Sequence, residues 1–458
     1  MTLPRSAVAI TLGVLVTIAC TASNEEPLLF VLLTVDTLRA DHLGAYGSEH
    51  GLTPHLDGLA GRSLVFEAAY APTPFTVPSL VSLHTGRHPL ALGLRTNSSL
   101  LTDSVETLAE RFASRGWDTA AVVSNYVLQD RDDLSQGFAR YDDTMRQREA
   151  VRRWPERIAG DTTDAAIAEL EAWRRDASTP LFLWVHYQDP HGPYTPPAGW
   201  RERFLPAARR RYGDLRLPGA DVHGHGGIPR YQALDDRGEA AFYAASYAGE
   251  IAYLDQEIGR LLQHLAGRGL DERLVFAADH GEAMGENDLW FAHGNDLTDG
   301  LIRVPLFVRL PQAGTGRRGD VVRLADLYPT LASALLDLSP APDLDARDLL
   351  APDAERSDSV PLLTTLRVHR EPRFGIVADG YKLILTLRDG IWAPRLYRRA
   401  REDVDLAAAA PQLATRLRDR AWELREQRDS GEQAPFQPLD PERIRNLEAL
   451  GYVGESPE

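Results

Sequence analysis

Residues 28–35 (LLFVLLTV) form an apolar run with a single threonine and no polar alternation. Such a run predicts a parallel strand buried on both faces. Comparable runs recur at 119–123, 181–187, 274–278 and 304–310. Between them the period lengthens. At 104–114, Val105, Leu108, Ala109 and Phe112 share one helical face. At 239–265, Phe242, Ile251, Leu254, Ile258, Leu261, Leu262 and Leu265 do the same. Strands alternating with helices predict an α/β fold around a mainly parallel sheet. Beyond residue 340 the texture changes. Residues 340–359 are acidic and turn-rich and read as a linker. Short strands are predicted at 374–378, 381–387 and 391–397, the first two joined by Asp379-Gly380, a hairpin signal. An Arg- and Glu-rich helix is predicted at 413–427. The expected organisation is a large α/β domain over 28–340 and a smaller α+β subdomain over 341–458, a small antiparallel sheet plus a helix. Residues 196–236 show no clean period and are rich in Arg, Gly, Pro and His. That segment is too long for a plain connector and reads as a lid or substrate loop.

The chain opens on a different pattern. Arg5 precedes an apolar stretch, residues 7–19, interrupted by Thr11, Gly13 and Thr17. These 13 residues are too few to cross a hydrocarbon core about 30 Å thick, and they suit a signal-peptide core. Residues 1–19 therefore read as an export signal. Cys20 follows at once and is the only cysteine, so no internal disulfide is possible. It resembles the lipid-modified cysteine of bacterial lipoproteins, although Thr17 stands where that pattern usually has leucine. A plain secretory signal or a short anchor is the alternative. Residues 20–27 read as a polar tether, and the expected location is the periplasm or cell envelope, with a membrane tether through lipidated Cys20. With 43% hydrophobic and 25% charged residues, a wholly disordered, collagen-like or polytopic membrane chain is excluded. The formal net charge of −16 argues against a nucleic-acid partner. Lys382 is the only lysine, so no site needing a second one is open.

In open α/β sheets, ligands bind outside the carboxyl ends of the strands, and the polar clusters of this chain fall there. The first strand ends at Asp36, the 274–278 strand runs into Asp279-His280-Gly281-Glu282, and the 181–187 strand runs into Asp189-Pro190-His191. Buried carboxylates and imidazoles are costly unless paired or coordinated. One divalent metal is one way to hold them together, and oxygen ligands with one histidine suit calcium, zinc, manganese or magnesium. A fourth element is Thr76-Val77-Pro78, at the start of a helix ending near Gly86. Local sequence favours Thr76 as an ordinary helix cap. The other reading is a metal-activated nucleophile facing an anion held by the helix N-terminus. His223-Gly224-His225 lacks a carboxylate partner and reads as part of a solvated loop.

Across these stretches the chain resembles the sulfatase family of the alkaline phosphatase superfamily. The matching segments run in order through VDTLRADHLGAYG (35–47), TVPSLVSLHTGRHP (76–89), HYQDPHGPYTPP (186–197), ADHGEAMGE (278–286), WFAHG (290–294) and DGYKLI (379–384). The resemblance implies a mixed, mainly parallel sheet between helices with a small C-terminal sheet and helix. It makes Asp36, Thr76, Asp279 and His280 metal ligands, Thr76 the nucleophile, and His191 and His293 contacts to the ester group or its leaving oxygen. Asn125 falls where the family grips the ester. Three departures stand out. The Cys/Ser-x-Pro-x-Arg motif that yields formylglycine reads Thr76 to Leu80, the usual second acidic ligand is Thr37, and the Lys/His anion grip reads Ser124-Asn125-Tyr126. Superfamily members that keep threonine as nucleophile act on phosphoryl esters, so the nucleophile leans that way while the family points to sulfate.

The expected function is a metal-dependent hydrolase of sulfate or phosphate esters, acting on small-molecule, glycan or lipid esters through Thr76. A phosphoryl transferase of the cell envelope, resembling phosphoethanolamine transferases, is the alternative. A sulfatase-fold binding protein that has lost catalysis is the third reading, and joint retention of Asp36, Asp279, His280, His191 and His293 argues against it.

Overall fold

The computed structural model describes residues 28–129, 134–151, 153–175, 179–220, 224–339, 344–352, 361–365 and 372–431. The export signal at 1–19, Cys20, the tether, His223 and parts of the 340–359 stretch lie outside the described residues. In chain order the first elements are β1 (Leu29–Val35), α1 (Pro54–Ala60), β2 (Leu64–Tyr70), α2 (Thr76–Thr85), α3 (Leu108–Ala113), β3 (Asp118–Val123) and β4 (Arg140–Asp142). A two-stranded ribbon, β5 (Gln147–Arg148) and β6 (Pro155–Glu156), leads into α4 (Ala159–Arg175), β7 (Leu181–Tyr187), α5 (Trp200–Tyr212), α6 (Ala240–Ala266) and β8 (Leu274–Ala278). Then come α7 (Asp299–Ile302), β9 (Arg303–Val304), β10 (Leu306–Arg309), β11 (Gly316–Arg323) and α8 (Leu327–Leu336).

β1 lies between β7 and β8, parallel to both, and β3 and β4 continue the parallel side. On the other side β10 is antiparallel to β8 and β2, and β11 forms the outer edge parallel to β2. Every residue of β1, β7 and β8 is buried, the cause of their unbroken apolar runs. Two helix groups cover the sheet: α1, α4 and α5 gather on α6, while α2 and α3 pack with α8. The sheet is mixed and mainly parallel, as expected.

Several elements differ from the sequence reading. The 304–310 run is two antiparallel strands, because Pro305 has no N–H for a ladder and splits it. The 104–114 helix begins only at Leu108. Thr107 Oγ1 accepts from the Glu110 N–H (3.2 Å) while Glu110 Oε2 accepts from the Thr107 N–H (2.8 Å), a capping box that fixes the start. The described part of the 196–236 segment contains a helix that its sequence did not announce, α5, packed on α6 through Ala208, Ala241 and Ala245. Part of the expected linker is also packed, with Leu349 in the main core and Asp345 paired to Arg323 and Arg428.

The second unit is an antiparallel sheet of β12 (Leu362–Thr364), β13 (Arg373–Ala378), β14 (Tyr381–Arg388) and β15 (Ile391–Arg398), with α9 (Pro411–Arg428) packed on it. Asp379 (φ 53°) and Gly380 (φ 78°) make the β13–β14 turn, where glycine accepts positive φ at no steric cost. Trp422 of α9 packs edge to face on Phe374 and Trp392, which also meet edge to face. Lys382 Nζ is buried on β14 and donates to Leu297 O (2.9 Å), Asp299 Oδ1 (2.7 Å) and Glu402. The only lysine thus fastens this sheet to the loop leading into α7.

Candidate active site

Strand register decides where the site falls. Val35 of β1 is level with Tyr187 of β7 and Ala278 of β8. Asp36 and Asp279 therefore leave the sheet together at its carboxyl edge, with His186, level with Thr34, beside them. Asp36, Thr76, His186, Asp279 and His280 are all fully buried. Ligand atoms of Asp36, His186 and Asp279 lie within 4.8 Å of one another. His280 Nε2 is 3.6 Å from Asp36 Oδ1 and 3.7 Å from Asp279 Oδ2, and 3.4 Å from Thr76 Oγ1.

The hydrogen bonding leaves a hole with a definite chemistry. Asp279 Oδ1 accepts from the N–H groups of Thr37 (3.3 Å) and His280 (2.6 Å), and Asp36 Oδ2 accepts from Asn125 Nδ2. Their other oxygens, Asp36 Oδ1 and Asp279 Oδ2, are buried without a partner, as are His186 Nε2 and Thr37 Oγ1. Buried acceptors left this way are costly, and a cation held between them removes the cost. Two carboxylates with imidazole and hydroxyl donors fit one divalent metal. His280 Nδ1 lies 2.9 Å from Gly281 O, which turns the Nε2 lone pair towards the acids.

The charge states agree with such a hole. Burial, then the charge of Asp36, push Asp279 well above the usual carboxylate range. Burial works the same way on Asp36, but the charge of His191 and the neighbouring His186 outweigh it and hold that carboxyl ionised. Burial, then His293, push His280 down to about 4, keeping the neutral imidazole a metal needs.

Thr76 is the first residue of α2, and its neighbour Phe75 is the cap residue, with no side-chain capping bond at this terminus. The ordinary-cap reading of Thr76 is therefore not what the structure shows. The first turn also offers few donors to an anion, since Val77 N–H is taken by Asn97 Oδ1 (3.0 Å) and Pro78 has none. Ser79 Oγ donates to Asp279 O (2.7 Å), tying the helix to the β8 end.

His191 and His293 line the outer side, their rings 5.2 Å apart, with His293 4.7 Å from His280. His293 Nδ1 is 3.2 Å from Glu282 Oε1, and the Tyr194 hydroxyl donates to Glu282 Oε2 (2.9 Å). Asn125, expected at the substrate, has both ends of its amide engaged, by Asp36 and by the Val127 N–H (2.9 Å). In the structure it braces Asp36. His225 is exposed. Two residues carried no role in the sequence reading, His186 and Glu282. Both sat in quoted motifs, but only the register shows that His186 faces Asp36 (Nε2 to Oδ2, 3.9 Å).

Thr37 holds a left-handed φ of 52°, a strained state for a β-branched residue. Its carbonyl accepts from the Tyr247 hydroxyl (2.7 Å), and its N–H is spent on Asp279. The strain sits directly behind the metal-type donors.

The chain is 27% identical over 425 residues to an arylsulfatase of Clostridium perfringens, covering 78% of this chain and 84% of that one. A structure solved with its substrate D-glucosamine-2-N,6-O-disulfate superimposes with a TM-score of 0.71 at 17% identity, covering 90% of this chain and 100% of the other. The phosphonate monoester hydrolase of Agrobacterium radiobacter superimposes with a TM-score of 0.67 at 21% identity, covering 88% and 96%. The sulfatase family model matches residues 29–338, every strand of the main sheet and every donor around the hole, and the chain belongs to the sulfatase family.

Proposed function

We propose that this protein hydrolyses singly charged sulfate or phosphoryl esters, with the Thr76 hydroxyl as nucleophile. The observation that carries the reading is the buried Thr76 Oγ1, 3.4 Å from His280 Nε2, beside the partnerless oxygens of Asp36 and Asp279. Asp36, Asp279, His280 and His186 are the residues to hold a divalent metal, which when bound supplies charge to the ester and lowers the pKa of the threonine hydroxyl. Thr76 loses its hydroxyl proton to solvent, its Oγ bonds to sulfur or phosphorus and the bond to the leaving oxygen breaks; water then attacks the same atom and the bond to Oγ breaks, freeing the acid and the threonine. His293, oriented by Glu282, and His191 stand where a proton is given to that oxygen and where water is deprotonated for release of the acid. Glu282 fixes the His293 ring and balances its charge when protonated.

The charge balance supports singly charged esters. The family's arginine after the nucleophile is Leu80 here, and Lys382 is committed to Asp299 and Glu402. Arg39, also buried, is spent on Asp41, Glu286 and the Glu282 carbonyl. Imidazoles and one cation face the anion, which suits a sulfate monoester, a phosphodiester or a phosphonate monoester better than a dianionic phosphate monoester. The test is a panel of aryl esters of these four kinds, assayed on metal-loaded protein. Turnover of a singly charged ester is expected to exceed that of the phosphate monoester. A phosphate monoester turned over fastest, or no turnover of any, overturns the reading.

A further inference from the structure

α5 is strongly basic in an acidic chain, with five arginines and one glutamate among its 13 residues, against a net charge of −16 overall. Arg201, Leu205 and Arg209 recur four apart on one helical face. That face lines a half-open cavity of about 510 Å³, bounded also by Arg216 and Arg237 from the following loop and by Ala241 and Phe242 at the start of α6. The Phe242 ring gathers two of the cations, with Arg201 Cζ 4.4 Å and Arg237 Cζ 5.0 Å from its centroid. Arg201 Nε is buried there without a hydrogen-bond partner. Four arginines (Arg201, Arg209, Arg216 and Arg237) share the wall with three acids (Glu202, Asp214 and Glu239); Glu239 is held by Arg216 (3.0 Å) and more loosely by Arg237 (3.9 Å), and the balance stays positive.

We propose that this cavity is a second anion site, which takes a sulfated sugar unit outside the reacting centre. The volume falls in the range of small-molecule pockets and exceeds what one oxyanion fills. Guanidinium forks suit sulfate and carboxylate groups, while Leu205, Ala241 and Phe242 offer an apolar wall to the carbon face of a sugar ring. A concave wall also suits a compact ligand better than a flat membrane surface. Packed aromatic rings join the cavity wall to the site already described: Phe242 contacts Tyr243 and Tyr243 contacts Phe291, both at 5.3 Å between ring centroids, and Phe291 lies two residues before His293. The assignment to a substrate chain rests on the hydrolase reading, whereas the binding itself does not.

Binding is measured on full-length Thr76→Ala protein, so that nothing is consumed, with a trisulfated disaccharide, its desulfated parent and inorganic sulfate as probes. Tight binding of the sulfated disaccharide alone is expected, weakened at least tenfold by Arg201→Ala with Arg237→Ala. In the otherwise unaltered enzyme the same pair should raise KM for the sulfated disaccharide about tenfold and leave kinetics on a small aryl ester unchanged. Binding that is equal with and without the arginines overturns the proposal. So does arginine-dependent sedimentation with phosphatidylglycerol vesicles that the disaccharide fails to displace. Arginine-dependent binding without turnover of any ester keeps the site and removes the hydrolase reading. Circular dichroism of the double variant checks folding, and Arg201→Lys with Arg237→Lys, which keeps charge but loses the fork, should fall between.

Discussion

At the scale of single residues, Thr76 and Glu282 carry the sharpest expectations. Thr76→Ala removes the hydroxyl and leaves a fully buried first-turn position otherwise filled. Activity should fall about 10³-fold or more, with metal content and melting temperature near those of the parent. Thr76→Ser keeps the oxygen and should retain measurable turnover. Acid quench and mass spectrometry should place the sulfo or phospho group on Thr76, and a group on Ser79 or Ser82 would move the nucleophile. Glu282 is fully buried between His293 and Tyr194. Burial pushes Glu282 up to about 7; Glu282→Gln preserves shape and removes the group that can take up charge opposite His293, so kcat should fall about 10- to 100-fold with little change in KM. An unchanged kcat would reduce Glu282 to packing.

At the scale of elements, the expected effects come from how segments are tied together. Lys382 is 1% exposed, and Asp299 and Glu402 face it from the α7 region and the loop after β15. Lys382→Met leaves two carboxylates with a lost counter-ion, and breaking such a buried pair costs about 3–5 kcal/mol. A melting temperature lowered by several degrees is expected, and an unchanged one would show that the clamp is dispensable. The loop after β7 meets α6 through Asp189 and Glu250. Burial pushes Asp189 up to about 6, and burial with the neighbouring carboxyl pushes Glu250 well above its ordinary range. The folded state holds these protons more tightly than the unfolded one. Their stabilisation is complete below about pH 4 and declines as pH rises through about 6. Asp189→Asn should flatten that slope of melting temperature against pH between 4 and 6. A slope identical to the parent's would place the titration elsewhere.

For the whole molecule, the metal-type hole joins β1, β7, β8 and α2, so its filling reports on the fold as well as the chemistry. Metal analysis should find about one divalent ion per chain, because Thr37 stands where a further carboxylate is usual. Removal by chelation should lower the melting temperature by several degrees, since a ligand at 1,000 times its Kd adds about 4 kcal/mol. Readdition should restore both stability and turnover. Two tight ions per chain, or a melting curve indifferent to chelator, would contradict the donor set.

The sequence by itself determined the buried parallel strands, the long α6 and the β13–β14 hairpin. Their signals are local: strands buried on both faces must be apolar throughout, and a turn at positive φ selects Asp-Gly. It also pointed to Asp36, Thr76, Asp279 and His280, which sit at strand and helix ends, while the roles of His191 and His293 came from the family resemblance. Polar edge strand β11, with Arg317, Arg318 and Arg323 turned to its surroundings, and arginine-rich α5 carried no apolar period, so neither was legible. The roles of His186 and Glu282 were hidden for another reason. Each depends on a partner far away in the chain or across a loop, Asp36 for one and His293 for the other. Only the β1–β7 register brings the first pair within reach, and only the folding of the segment after β8 brings the second. Residue type can announce a ligand, but which oxygens remain without a partner is decided by every hydrogen bond around them, and that is a property of the tertiary structure.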